Sequence, residues 1–342
     1  MSILPAAPPT TAMQGFDAEF CDLETYIRVI TARIWEGRRI DDIYRYYSNP
    51  CVVETPSSVT TDIEDVVRGT RATLAAFPDR RLLAEDIIQS GDAAGGFLSS
   101  HRIISTMTHL GDGAYGAPTG KKIAVRTIAD CVCRDNRIIH EWLVRDQSAI
   151  AKQIGLAPAE LARRWLLASQ VKDENSKVQS GRAVWDKNAA NAVPDGYFSF
   201  LSVDADAQRY ANSIADFSRA KDAASVYDEA VHQCAPGGTT YNGIDDASGY
   251  WQRLFACFQV TNFTIEHLAL QQDDGRAKRI ALRWRAMAVH CGTGEFGAPT
   301  GKIVEIMGIN HVEVWRNLII REWVLIDEIA LWMQVIADER AV

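Results

Sequence analysis

One short sequence occurs twice in the chain, at residues 116–121 and at residues 297–302, and both copies read Gly-Ala-Pro-Thr-Gly-Lys. The copies are 181 residues apart, since 297 − 116 = 181. The same offset pairs residues of identical type along the chain: Tyr46 with Tyr227, Phe77 with Phe258, Glu85 with Glu266, His109 with His290, Glu141-Trp142 with Glu322-Trp323, and Asp146 with Asp327. A constant offset over about a hundred residues indicates a tandem duplication, so we expect two domains of one kind.

Length and charge exclude several classes of protein. With 342 residues, the chain is long enough for two domains that each bury their own core. The net charge of −8 and the pI near 5.4 argue against nucleic-acid binding, because phosphates attract basic surfaces. No apolar run reaches the roughly 20 residues of a membrane-spanning helix, so no membrane partner is expected.

The cysteines indicate a reducing compartment. There are seven of them, scattered along the chain, and neither the number nor the spacing is typical of a disulfide framework. The cytoplasm is therefore the expected location. Residues 1–14 are rich in Pro and Ala but lack the basic and apolar regions of a signal peptide, and they are predicted to be a disordered tail.

The hydrophobic pattern predicts helices before strands in each half. An amphipathic helix covers residues 20–34, a short second helix ends at Asn49-Pro50, and a third helix begins at the capping-box pair Thr61 and Glu64 and ends at Pro78. From Arg81 the period changes to two. Strands are predicted at about 81–89, 97–109, 122–134 and 137–146, with a tight hairpin at Asp135-Asn136. The second half repeats the pattern, which indicates an α+β fold in each half.

The duplication sets the expected domain boundaries. The first domain is predicted over residues 16–156 and the second over 196–342, with a linker at 157–195 between them. Within the linker, residues 157–170 have a helical pattern, whereas residues 171–187 are polar and are expected to be exposed.

Each half resembles the SnoaL-like polyketide cyclases (ester cyclases) of the NTF2-like superfamily. In the first half the resemblance rests on Thr108-His109, the repeated Gly-Ala-Pro-Thr-Gly, the strand from Glu141-Trp142 to Asp146, and residues 152–155. The second half keeps His290, Glu322-Trp323 and Asp327, but Val289 replaces the threonine of the family's Gly-Thr-His pattern. Met107 and Ala288 replace its glycine. The resemblance implies two NTF2-like (cystatin-like) cones, each with N-terminal helices and a curved, mainly antiparallel sheet around an apolar pocket.

The resemblance also implies the catalytic groups. In the family, an aspartate at the end of the last long strand acts as a general acid and base without metal or cofactor, and this position matches Asp146 and Asp327. The family's histidine matches His109 and His290. Alternation along the strand gives each aspartate the same face as Trp142 or Trp323. A carboxyl group on such an apolar face has a raised pKa, which suits proton transfer near neutral pH. The alternative is that each aspartate caps the helix that follows.

Other residues are expected near the pockets. Tyr46 and Tyr227 are candidates for the pocket mouth, and Arg102 and Arg283 for binding an anionic group, although an exposed or ion-paired arginine explains these two better. His267 and His311 replace acids of the first half, so the two pockets should differ chemically. A zinc site from His267, His290 and His311 has no recognised spacing, and no metal is expected. The repeated Gly-Ala-Pro-Thr-Gly is predicted to be a shaped turn between strands rather than a catalytic loop.

Three functions remain open from the sequence. The first is a cyclase or isomerase with cofactor-free acid–base chemistry on an apolar, polyketide-like or carbonyl substrate. The second is a non-catalytic module that binds an apolar metabolite or a partner protein, and the third is an activity similar to NTF2-like epoxide hydrolases. The expected partner is a small apolar or aromatic molecule in one or both pockets. The halves are expected to form an intramolecular pseudo-dimer, and assembly into a larger homo-oligomer stays open.

Overall fold

The computed structural model describes residues 13–170, 179–180 and 200–337. The first half contains α1 (Leu23–Thr31), a π-helical turn (Ala32–Glu36), a 3-10 turn (Ile40–Asp42), α2 (Ile43–Tyr46), β1 (Tyr47–Thr55), β2 (Ser58–Thr60), α3 (Ile63–Ala76), β3 (Arg81–Asp92), β4 (Gly96–Thr108), β5 (Lys122–Arg134), β6 (Arg137–Arg145) and α4 (Gln147–Ile154). The helix α5 (Pro158–Gln170) follows, and then β7 (Gln179–Ser180). Most of the predicted N-terminal tail and of the predicted polar linker lies outside the described residues.

The second half repeats this order of elements. It contains α6 (Ala205–Phe217), a 3-10 turn (Ala224–Val226), β8 (Tyr227–Ala235), a turn (Pro236–Gly238), β9 (Thr239–Asn242), α7 (Ile244–Cys257), β10 (Phe258–Gln271), β11 (Lys278–His290), β12 (Ile303–Trp315), β13 (Leu318–Ile326) and α8 (Glu328–Ile336). The predicted α+β class is confirmed in both halves.

Each half has one mixed sheet. The strand order is β3-β4-β5-β6-β1-β2-β7 in the first half and β10-β11-β12-β13-β8-β9 in the second. The long strands are antiparallel, as predicted, whereas β1 runs parallel to β6 and β8 runs parallel to β13. The first two strands of each half escaped the prediction, which ended a helix at Asn49-Pro50. In the structure Pro50 lies within β1, in the irregular stretch between Tyr47 and Val52, where a proline is tolerated.

The offset of 181 does not hold in the first strand. Tyr47 is the β-partner of Ile138, and Tyr227 is the partner of Ile319. Since 319 − 138 = 181 but 227 − 47 = 180, the equivalent of Tyr227 is Tyr47 and not Tyr46. The extra residue of the second half falls in the turn Pro236–Gly238. Tyr46 is instead fully buried in the first core, where its hydroxyl accepts a hydrogen bond from Nη1 of Arg33 at 2.7 Å.

The two sheets pack against each other face to face. The face of β6 that carries Trp142 and Val144 meets the corresponding face of β13, which carries Leu325. One hydrophobic cluster is shared by Leu98, Ile128, Val132, Trp142 and Val144 from the first half and Met307, Ile309 and Leu325 from the second. Helices cover the opposite face of each sheet, with separate cores beneath them. The helix α5 also bridges the halves, since Leu161 packs in one cluster with Ile329 and Met333 of α8.

Two tryptophans fill the interior of the second half. Trp251 from α7 and Trp284 from β11 are fully buried, with 6.1 Å between their ring centroids. Trp284 lies directly over Gly308 of β12, where a side chain would have no room: an added Cβ would approach the indole to 2.3 Å. Thr127 is the equivalent of Gly308 in the first half, since 308 − 127 = 181.

Replacement of Gly308 by alanine should therefore destabilise the protein. We expect a loss of about 1–3 kcal/mol in the free energy of unfolding, because an overpacked core must shift. Urea denaturation followed by tryptophan fluorescence measures the effect. The matched control Thr127→Ala should cost about 1 kcal/mol or less. A Gly308→Ala variant as stable as wild type would show that Trp284 does not pack on this strand as described.

Candidate functional site

A cavity of about 270 Å³ lies inside the first half, between the outer face of its sheet and the helices α1 and α3. Its walls are mainly apolar, with Ile27, Ile30 and Ile34 from the helical side and Val53, Ala129 and Leu143 from the sheet. The π-helical turn contributes Trp35. A concave, mainly apolar cavity with polar side chains at a few places in its wall is the usual form of a small-molecule site.

The cavity face of the sheet is organised in three layers across β4, β5 and β6. The pairing of the strands places Ser99, Cys131 and Glu141 in one layer, His101, Ala129 and Leu143 in the next, and Ile103, Thr127 and Arg145 in the third. Side chains at alternate positions of a strand share a face. From Glu141 to Arg145 the odd-numbered residues of β6 therefore point into the cavity, and Trp142 and Val144 point toward the other half. A register shift earlier in the strand reverses this order, so that Ile138 also lines the cavity.

Glu141 is the acidic group best suited to proton transfer in this cavity. Its burial raises the pKa of the carboxyl group to about 7. The hydroxyl of Tyr47, which donates a hydrogen bond to Oε2 at 3.1 Å, and the charge of Arg145 lower the pKa and only partly offset the effect of burial. At neutral pH the group is therefore divided between its acid and its base form.

His101 lies two strands away from Leu143, on the same cavity face. Burial lowers the pKa of its imidazole to about 3, so the ring is neutral at physiological pH. Its Nε2 atom is buried and has no hydrogen-bond partner among the described residues. A neutral imidazole of this kind can donate a hydrogen bond to a substrate oxygen or accept one from it.

Arginines define the other end of the cavity. Arg80 is only 2% exposed and forms hydrogen bonds to the hydroxyl of Ser105, at 3.3 Å from Nε and 3.1 Å from Nη2. Arg145 lies close enough to Arg80 to lower the pKa of that guanidinium, which burial already lowers. The hydroxyl of Thr127 completes this end of the cavity.

The second half has lost this set of polar groups. At an offset of 181, His101 becomes Leu282, Arg145 becomes Ile326 and Arg80 becomes Thr261. Two side chains of the first half are replaced by larger tryptophans, Ile103 by Trp284 and Thr70 by Trp251. Glu322 matches Glu141 but is held by three donors at 2.7 Å, from the hydroxyls of Tyr210 and Tyr227 and the amide of Gln233.

Asp146 and Asp327 lie outside the cavity lining. Asp146 caps α4 and joins the halves: Oδ1 accepts from Ser148 Oγ, Ala149 N and Gly237 N, and Oδ2 accepts from Gly238 N, each at 2.9 Å. Asp327 caps α8, and its Oδ1 accepts from Ile329 N at 2.9 Å and Ala330 N at 3.2 Å. Burial raises the pKa of Asp327 to about 7. The face that the aspartates share with Trp142 and Trp323 is covered by the other half.

His109 and His290 hold the repeated glycine-rich turns. Nδ1 of His109 lies 3.2 Å from the hydroxyl of Thr119, and Nδ1 of His290 lies 3.1 Å from that of Thr300. The chain reverses through glycines with positive φ, at 89° for Gly116 in the first turn. The repeated sequence is thus a shaped turn, as predicted, and its histidine fastens it to the end of the preceding strand.

The predicted ligand-binding arginines, Arg102 and Arg283, lie between the two sheets. Arg102 lies over the Trp323 ring, with 3.5 Å from Cζ to the ring centroid, and Arg283 lies over the Trp142 ring at 3.6 Å. Each guanidinium also pairs with a glutamate of its own half, Glu85 for Arg102 and Glu266 for Arg283. These arginines and tryptophans bind each other across the halves instead of lining the cavity.

The exchange of Asp130 for His311 also belongs to this interface. Arg283 donates from Nη1 to Asp130 at 2.7 Å. At the equivalent place, Arg102 donates to Nδ1 of His311 at 3.2 Å, and Nε2 of His311 lies 2.7 Å from Ser100 Oγ. Burial lowers the pKa of His311 well below its usual value, and His267 is likewise buried, with its pKa lowered to about 3.

The sequence prediction missed Glu141, His101, Arg80 and Arg145 as site residues. Glu141 was visible as part of a motif shared by both halves, and alternation from Asp146 places it on the opposite face. The other three were invisible to a search for shared residues, because the second half lacks them. Positions where one copy has an ionisable side chain and the other does not are the signal that identifies them.

In the part of the chain that the structure describes, a metal centre would require a cluster of ligating side chains, and a membrane-spanning helix would require a long apolar stretch. There, no group of three or more His, Cys, Asp and Glu side chains is arranged to hold a metal ion. His290 and His311 have the separate partners given above. Within the same residues, none of the helices combines the length and the apolar character needed to cross a bilayer.

Comparison with known proteins gives the same repeat. The family model for the SnoaL-like polyketide cyclase matches residues 25–154 and again residues 205–335. No curated protein matches the chain.

Similar solved structures each span little more than a third of the chain. IdmH from Streptomyces antibioticus, described as a candidate polyketide cyclase, is 22% identical over 39% of this chain and 98% of its own, with a TM-score of 0.34. AclR from Streptomyces galilaeus, described as a candidate hydroxylase, is 20% identical over 39% of this chain and 83% of its own, at 0.35. A SnoaL-like polyketide cyclase from Agrobacterium tumefaciens is 16% identical over 39% and 98%, at 0.32.

The two capping aspartates should respond differently to replacement by asparagine. Asp146 accepts hydrogen bonds through both carboxylate oxygens, so the amide of Asn would face a donor, and we expect Asp146→Asn to cost about 1–3 kcal/mol. The bonds of Asp327 use one oxygen, and Asn caps as well as Asp, so Asp327→Asn should change stability by about 0.5 kcal/mol or less. Urea denaturation of both variants measures this. Equal stability of the two variants would contradict the assignment of Asp146 as a clamp between the halves.

Proposed function

The chain belongs to the SnoaL-like polyketide cyclase family over both of its halves, and we propose that it is a small-molecule enzyme with one catalytic half. In this proposal the first half carries out cofactor-free general acid–base chemistry on a carbonyl compound, and Glu141 moves the proton. The second half supports the first and holds no substrate.

The observation that carries the proposal is a titratable carboxyl group inside a cavity. Glu141 combines a pKa of about 7 with a position in an apolar wall. Proton transfer is most efficient when the pKa of the catalytic group is near the working pH. A carbon next to a carbonyl group is a weak acid, and a desolvated carboxylate removes its proton more readily than a solvated one.

The proposed reaction conserves protons within the site. The carboxylate of Glu141 takes a proton from the carbon next to the carbonyl, which leaves an enolate. The neutral imidazole of His101 donates a hydrogen bond to the enolate oxygen and stabilises its charge. The enolate carbon then attacks a second carbonyl of the same molecule, and the protonated Glu141 returns its proton to the new alkoxide. The carbon–carbon bond that forms closes a ring, and neither oxidant nor metal is required.

The residues inside the second half support the proposal that only the first half is catalytic. Trp251 and Trp284 occupy the volume that corresponds to the cavity, and the indole N–H of Trp284 donates to Asn310 at 3.1 Å. The carboxylate oxygens of Glu322 accept three hydrogen bonds from its own half, so they are not free to take a proton from a ligand. Asp146, which the family resemblance suggested as the acid, accepts four hydrogen bonds, two from α4 of its own half and two from the backbone of the other half. We therefore assign these aspartates to structure in this proposal.

Replacement of Glu141 by glutamine should remove the activity and leave the fold intact. A suitable probe is 2-tetralone, a bicyclic ketone, whose incorporation of deuterium from D₂O is followed by NMR. We expect Glu141→Gln to slow enzyme-dependent exchange by roughly 10²–10⁴-fold, the range for a positioned acid–base group.

The matched control is Glu322→Gln in the second half. This variant should lose about 1–3 kcal/mol of stability, because an amide is placed against three donors. At a temperature where it is folded, it should exchange 2-tetralone at the wild-type rate. Unchanged exchange in Glu141→Gln, or no exchange with wild type, would favour a non-catalytic binding module.

The pKa of Glu141 also predicts two opposite pH dependences. Exchange should rise through about pH 7, because the carboxylate is the active base. Stability should fall over the same range, because a carboxyl group with a raised pKa in the folded state stabilises that state below its unfolded pKa and loses this contribution as pH rises through about 7. The gain in melting temperature of Glu141→Gln over wild type should therefore grow from pH 5 to pH 9. A gain that is constant with pH would contradict the assignment.

A further inference from the structure

Arg80 is a buried cation without an anion. It is 2% exposed, and within the described part of the chain it has no ion pair with a carboxylate. Its Nη1 atom has no hydrogen-bond partner there either, and its other contacts are a neutral hydroxyl and the ring of Trp35, 4.8 Å away. Buried charges in proteins are normally paired, because an unpaired charge away from water costs several kcal/mol.

Arg145 adds a second uncompensated donor at the same end of the cavity. The Nε atom of Arg145 is buried and finds no partner among the residues described, although another part of its guanidinium interacts with the hydroxyl of Tyr115. Arg145 also pushes the pKa of Arg80 downward, which is the sign of two like charges held close together. Beside them, the hydroxyl of Thr127 is buried and unpartnered in the same described region.

These donors converge on the cavity from three elements of the fold. Arg80 precedes β3, Thr127 lies on β5, and Arg145 is the cross-strand partner of Thr127 at the end of β6. All three line the cavity. The nearby Asp65 also lines it, but its carboxylate pairs with Arg68 and accepts from Thr60 at 3.1 Å. Asp65 therefore does not neutralise the charges of Arg80 and Arg145.

The distance from this end to Glu141 sets the length of a ligand. Arg145 lies four residues after Glu141 on one strand, which corresponds to roughly 13 Å between their Cα atoms. The wall between them is apolar, with Leu143 and Ala129. The volume of about 270 Å³ exceeds that of an engineered cavity of about 150 Å³ that binds benzene. A molecule of about two fused rings fits this space.

We propose that the substrate of the first half is a carboxylic acid, bound as its carboxylate by Arg80 and Arg145 with the reactive carbonyl region near Glu141. The proposal rests on the function proposed above and specifies its substrate class. The fork of a guanidinium matches the two oxygens of a carboxylate, and Thr127 can donate a further hydrogen bond. An apolar body then bridges the distance to the acid–base group.

The test compares two bicyclic probes of nearly equal shape, 2-naphthoate and the neutral 2-naphthamide, by titration calorimetry. Wild type should bind the carboxylate at least tenfold more tightly than the amide. Arg80→Met should abolish this preference and leave the amide affinity unchanged, whereas Arg80→Lys should keep part of it. Arg71→Met is the matched control, because Arg71 is an exposed arginine of α3 paired with Asp41, and it should keep the full preference.

A stability measurement gives an independent reading. If Arg80 is held in the empty cavity without an anion, Arg80→Met should raise the melting temperature, because an apolar side chain replaces an unpaired buried charge. At one fixed concentration, 2-naphthoate should raise the melting temperature of wild type and of Arg71→Met more than 2-naphthamide does, whereas the two probes should raise that of Arg80→Met equally. Arg145→Met should also lower the preference for the carboxylate.

The outcomes separate the two proposals. Equal binding of naphthoate and naphthamide by wild type, or an undiminished preference in Arg80→Met, would overturn the carboxylate site even if 2-tetralone exchange depends on Glu141. Conversely, a carboxylate preference that disappears with Arg80 would support the site even if Glu141→Gln leaves exchange unchanged. Glu141→Gln itself should bind 2-naphthoate as well as wild type does, or more tightly.

Discussion

The packing of the two sheets against each other is the interaction on which the other features depend. Its centre is a pair of arginines, Arg102 and Arg283, each stacked on a tryptophan of the other half. A guanidinium removed from water needs both a flat apolar surface and hydrogen-bond acceptors, and the interface provides both. Because one face of each sheet is committed in this way, only the opposite face can enclose a ligand. The two interiors are then free to differ.

The halves have used that freedom in opposite ways. The second interior is closed by tryptophans, and its buried glutamate is satisfied by three donors, as expected of a domain that contributes stability. The first interior keeps a cavity and several polar atoms that find no partner among the described residues, notably Nε2 of His101 and Nη1 of Arg80. Such groups lower stability, and proteins tolerate them mainly where a ligand supplies the missing partner. The well-packed core of the second half offsets the stability that the first half loses through its unpaired polar groups.

In this duplicated chain, residue identity between the halves does not indicate the functional residues. The residues that both halves share here serve mainly the scaffold: His109 and His290 fasten turns, and Asp146 and Asp327 cap helices. Several residues that distinguish the halves surround the cavity, among them His101, Arg80 and Arg145. Glu141 and Glu322 are the instructive exception, because one residue type at one position has two roles. Among the described residues, Glu141 accepts a side-chain hydrogen bond from Tyr47 alone, whereas Glu322 accepts hydrogen bonds from three donors that hold it in place.

The sequence alone determined the duplication, the α+β class, the long antiparallel strands and the shaped turns, because these follow from local spacing and from identity at a constant offset. It could also separate the two faces of β6 by alternation. It could not decide which face meets the other half and which meets a ligand, since both carry an acid and apolar residues: Trp142 and Asp146 on one, Glu141 and Leu143 on the other. Only tertiary packing decides this. The same packing brings Arg80, which precedes β3, beside Arg145 at the end of β6, and their mutual position depends on the curvature and pairing of a whole sheet.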